Sequence, residues 1–92
     1  MHARIEPLLA ALSVEIAGTR TELAMARELL AERESTLEEY RLRMLMAETP
    51  LADRDLHRAA LIRDRARAEV DRLELALATL RDEERRLGEG PA

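Results

Sequence analysis

The stretch LEEYRLRMLMAETPLADRDLHRA, residues 37–59, decides the fold. On its left, Leu37, Tyr40, Met44 and Ala47 recur at alternating spacings of three and four; on its right, Ala52, Leu56 and Ala59 do the same. Between them stands Glu48-Thr49-Pro50. A proline pushes the residue before it out of the helical region, so the first helix must stop there. Thr49 can cap a new helix, and Pro50 at its first position loses no hydrogen bond. Asp53 and Asp55 then fall near the positive end of that helix; Asp53 is the alternative cap. A connection of about 2–6 residues makes the two helices antiparallel neighbours.

Read outward, both lines persist. Upstream they pass through Ile5, Leu9, Leu12, Ile16, Thr19, Leu23, Ala26, Leu30 and Arg33. Downstream they pass through Arg63, Ala66, Val70, Leu73, Leu77, Leu80, Glu84 and Leu87. Such a 4-3 repeat, held over about six heptads on each side, is the pattern of helices that bury a narrow seam against another helix. The expected architecture is all-α: an antiparallel, coiled-coil-like helical hairpin in a single domain spanning 1–92. Helix one covers about 5–47, the turn about 48–52 and helix two about 51–87. Gly88 follows as a helix-terminating residue, with Arg81, Arg85 and Arg86 at the negative end, and 88–92 form a frayed tail. Pro7 suits the first turn of helix one. Gly18, before the capping-box pair Thr19 and Glu22, is a possible break. The 4-3 line crosses it without a change of phase, which favours one long helix with a weak point.

Antiparallel seams allow registers that differ by seven residues. One of them sets Tyr40 beside Arg63, Met44 beside Ala59, Leu37 beside Ala66 and Leu30 beside Leu73, so that large side chains repeatedly face small ones. It lets Arg63 lie on the Tyr40 ring and brings Glu34 near Arg67. The next register sets Arg33 against Arg63, a like-charge contact, so the first is expected. In it Leu87 lies opposite Ile16, and Ile5, Leu8, Leu9 and Leu12 project past the end of helix two. A second apolar set lies off the seam: Met25, Leu29, Leu42 and Leu45 on helix one, with Leu61, Ile62, Leu75 and Ala76 on helix two. A lone hairpin with so narrow a core is poorly stable, so two hairpins in a four-helix bundle, or another helical partner, are expected.

Composition supports this and removes other classes. Aromatic content is one residue, Tyr40, so the core is aliphatic. Three glycines and three prolines in 92 residues leave little to build the turns of a β fold. All 15 Lys and Arg residues are Arg, yet the net charge is −4 and acids alternate with bases. No basic stripe points to nucleic acid. Without Cys there is no disulfide, thiolate nucleophile or Cys metal site, which is compatible with a cytoplasmic location. The apolar stretch near the N-terminus is interrupted by Glu6 and Glu15, unlike a secretory signal, and no apolar run approaches the ~20 residues of a membrane span.

Chemistry-bearing constellations are sparse. His2 and His57 are the only histidines. Glu48, Asp53, Asp55 and His57 gather round the connection, but acids at a helix N-terminus are favoured without any metal. Ser13 and Ser35 have no His at a useful spacing, no glycine-rich phosphate loop exists, and no Glu-x-x-His marks a di-iron bundle. The reading is a non-catalytic interaction module, such as an adaptor, small chaperone or scaffold subunit, with no cofactor or metal. Its partner would be itself, as a homodimer, or another helical protein. Partner contacts are expected at Ile5, Leu8, Leu9, Leu12, Leu42, Leu45 and Met46, the last within a soft methionine-rich patch. One alternative inserts an acidic tip of Glu48, Asp53 and Asp55 into a larger machine such as RNA polymerase. Another, an amphipathic membrane-surface helix over residues 3–17, lacks the usual basic face.

Overall fold

The computed structural model describes residues 2–89, with side chains from Arg4 onward. The side chain of His2 and the proposed fraying of 90–92 lie outside the described residues. Two helices, α1 (His2–Ala47) and α2 (Pro50–Glu89), pack against each other as a helical hairpin. α1 is uninterrupted at Gly18, which adopts no left-handed conformation. A single glycine costs a helix about 1 kcal/mol, less than breaking a continuous seam. Pro7 lies inside α1 rather than in its first turn, because the helix already begins at His2.

α2 does not stop at Gly88, as expected, but continues to Glu89. Asp82 accepts ion pairs from Arg85 and, at 3.2 Å, from Arg86, and Arg85 Nε lies 4.0 Å from Glu89. These i,i+3 and i,i+4 pairs hold the last turn, and Gly88 stays within it.

Packing separates two compact units, Met25–Asp71 and Met1–Ala24 with Arg72–Ala92. In the first, the core is Leu30, Leu37, Ala59, Ala66 and Val70; Leu37 is the most enclosed, only 1% exposed. Tyr40, Met44, Ala52, Leu56 and Arg63 are half-buried along the same seam. Arg33, expected in the seam, is exposed, and Thr36 is half-buried instead. The reason is the register. With a turn of only Glu48 and Thr49, the two helices start level at Ala47 and Pro50, and each residue climbs about 1.5 Å. Counted from there, Arg63 stands level with Glu34, next to Arg33, and not with Tyr40. Leu37 and Ala60 accordingly line one cavity, and Tyr40 and Ala59 another.

The structure thus adopts the register that sets Arg63 beside Arg33 rather than beside Tyr40. Arg63 Nε donates to Asp64 Oδ1 at 2.8 Å, while Arg33 reaches solvent. The cation over Tyr40 is Arg43, at 5.0 Å from the ring centroid, not Arg63. Large-on-small packing survives, with Leu37 within one residue of the height of Ala59 and Leu30 within one of Ala66. Arg67 lies 3.9 Å from Glu34 as expected, a pair long enough to be reached from either register.

In the other unit Leu12, Ile16, Leu23, Leu73 and Leu77 are buried. Ile5, Leu9, Leu80 and Leu87 are half-buried. Leu87 shares a cavity with Leu8, Ala11 and Leu12, so α2 reaches back to that height. The expected overhang of Ile5, Leu8, Leu9 and Leu12 does not exist; Leu12 is core, and Leu8 alone of the four stays exposed.

Candidate interaction surface at the hairpin tip

The tip is built by two local devices. Glu48 takes a left-handed conformation, φ 47°, and its N–H donates to the Met44 carbonyl at 3.0 Å, closing α1 as a glycine usually does. Thr49 then caps α2: its Oγ1 accepts the Ala52 N–H at 3.1 Å, and its carbonyl accepts the Asp53 N–H at 3.0 Å. The turn is therefore shorter than the five residues expected, because capping begins at Thr49 itself.

So tight a turn leaves the apolar side chains around it uncovered. Met46 is 89% exposed, Leu45 75% and Leu51 67%, and Leu42 is also exposed. Leu42, Met46 and Leu51 line an open groove of about 430 Å³ with Tyr40, Arg43 and Asp55 at its edge. Single exposed leucines are ordinary, whereas several around one concavity mark a contact surface. Leu45 is exposed but does not line the groove.

The acids do not converge. Asp55 borders the groove and the neighbouring cavity of Arg33, Thr36 and Arg58, while Asp53 lines a different cavity with Arg41 and His57. Glu48 is exposed in the turn. Among the described residues no group of three or more His, Cys, Asp or Glu is placed to hold a metal ion. Among them, too, no helix is long and apolar enough to cross a membrane.

Of the residues expected to meet a partner, the structure gathers Leu42 and Met46, and leaves Leu45 and Leu8 exposed elsewhere. It withdraws Leu12 into the core and half-buries Ile5 and Leu9. Leu51 was not foreseen. Its signal was present: it follows Pro50 directly, one position off the seam residue Ala52, and stands at the height of Met46. No family model, curated protein or solved structure matches the chain.

Proposed function

We propose that this chain is a non-catalytic protein–protein interaction module that works by self-association and through exposed apolar helix surface, as adaptors, small chaperones and scaffold subunits do. The observation that carries the reading is the groove at the tip, where Leu42, Met46 and Leu51 face solvent on a chain whose own seam is already filled. Methionine and leucine on such a surface adapt to a protein partner and gain from leaving water. The divergence of Asp53 and Asp55 counts against a tip that presents one acidic cluster to a metal or basic channel.

Light scattering on a gel-filtration column, run across a concentration series, tests the reading. Association beyond the 10.4 kDa monomer is expected, and it should be lost in Leu42→Asp/Met46→Asp while circular dichroism stays helical. A monomer that melts cooperatively at every concentration, with the same melting temperature in that variant, would refute it.

A further inference from the structure

Within the Met25–Asp71 unit, one flank of the hairpin carries two columns of side chains. On α1, Met46, Glu39 and Glu32 recur every seven residues; on α2, Leu51, Arg58 and Arg65 do the same. Met46 and Leu51 line the same groove, so both columns open on the flank where that groove lies. Because the turn is two residues long, the columns climb in step: Met46 is level with Leu51, Glu39 with Arg58 and Glu32 with Arg65. All six side chains are exposed, and among the described residues the four charged ones take part in no ion pair. The opposite flank differs. There Glu34 meets Arg67 across the seam, and Glu38 meets Arg41 along α1 at 3.4 Å.

We infer that a second copy of this chain covers the groove flank, related by a two-fold axis parallel to the helices, with both tips at the same end. The inference rests on the interaction reading above and specifies its partner. That axis lays α1 of each copy on α2 of the other at equal heights. Met46 then meets Leu51, Glu39 meets Arg58 and Glu32 meets Arg65, and symmetry repeats every rung. Acid faces base in all four charged rungs, and the two most exposed leucine and methionine side chains of the groove cover each other at the tip. A two-fold axis perpendicular to the helices would lay α1 on α1 and α2 on α2, setting glutamates against glutamates and arginines against arginines. Like charges at an interface are strongly disfavoured, so the arrangement with tips together is selected.

Two charge-reversed variants test the pairing. Arg58→Glu/Arg65→Glu makes both columns acidic, and Glu32→Arg/Glu39→Arg makes both basic. Each alone should dimerise about a hundredfold more weakly than the parent, and an equimolar mixture should form a one-to-one heterodimer. The absence of cysteine allows a second measurement with single Glu39→Cys and Arg58→Cys variants and a short bis-maleimide. Their mixture should yield a cross-linked dimer containing one of each, and neither variant alone should yield any. A parent dimer whose affinity ignores the reversals, or Glu39→Cys cross-linking to itself, overturns the arrangement but leaves self-association standing. A parent that stays monomeric at high concentration overturns both, and tight capture of a lipid vesicle by that monomer would assign the groove to a membrane surface instead.

Discussion

The two flanks of the Met25–Asp71 unit meet water differently. On one, charges answer one another within the chain: Glu34 with Arg67 across the seam, Glu38 with Arg41 along α1. On the other, Leu29, Ile62, Met46 and Leu51 are exposed, and Glu32, Glu39, Arg58 and Arg65 take part in no ion pair within the described chain. The seam between them is the same for both. A flank that satisfies its own charges can remain a surface, whereas one that combines unpaired charge with apolar side chains has more to gain from being covered.

The hardest strain on this contrast comes from the seam both flanks share. Leu37→Ala should cost about 2–5 kcal/mol in chemical denaturation, since Leu37 is the most enclosed side chain. If the groove flank is covered by another copy, parent and variant alike should gain stability as protein concentration rises. Next in size, Leu29→Gln/Ile62→Gln should leave the dilute protein within about 0.5 kcal/mol of the parent, as exposed substitutions do, yet lower its melting temperature at high concentration. Equal effects at both concentrations would erase the difference between the flanks.

Two changes at the turn ask whether the groove depends on its local geometry. Thr49→Ala removes the acceptor for the Ala52 N–H and should destabilise by about 1 kcal/mol in urea titration. Glu48→Gly relieves a left-handed side-chain residue and should stabilise by about 0.5–1 kcal/mol, without changing association. The smallest effect belongs to the self-contained flank. A double-mutant cycle on Glu34 and Arg67 should return a coupling below about 0.5 kcal/mol, because the pair is exposed and 3.9 Å apart. A coupling several times larger would mean that this flank, too, is covered.

Much of the exposed apolar surface was legible residue by residue. Met25, Leu29, Leu42, Leu45, Leu61, Ile62 and Leu75 fall off the seam in the sequence and are exposed in the structure. What could not be read was which of them share a concavity. Leu42 and Met46 join Leu51 only because α2 begins at Pro50, and Leu45, on another face of α1, stays apart.

Two amphipathic helices, the line of small and large aliphatic residues that join them, and a reversal at Pro50 follow from the chain alone. Periodicity determines which face of a helix avoids water, and a proline determines where that helix must end. The height at which the helices meet belongs to the tertiary structure. A slip of seven residues restores the same alternation of leucine against alanine, so hydrophobic pattern is blind to it. Arg33 and Arg63 pointed towards the wrong choice: in the structure Arg33 is exposed and Arg63 donates to its own neighbour Asp64. A left-handed Glu48 and a capping Thr49 decide the matter, by leaving no slack in which one helix could slide along the other.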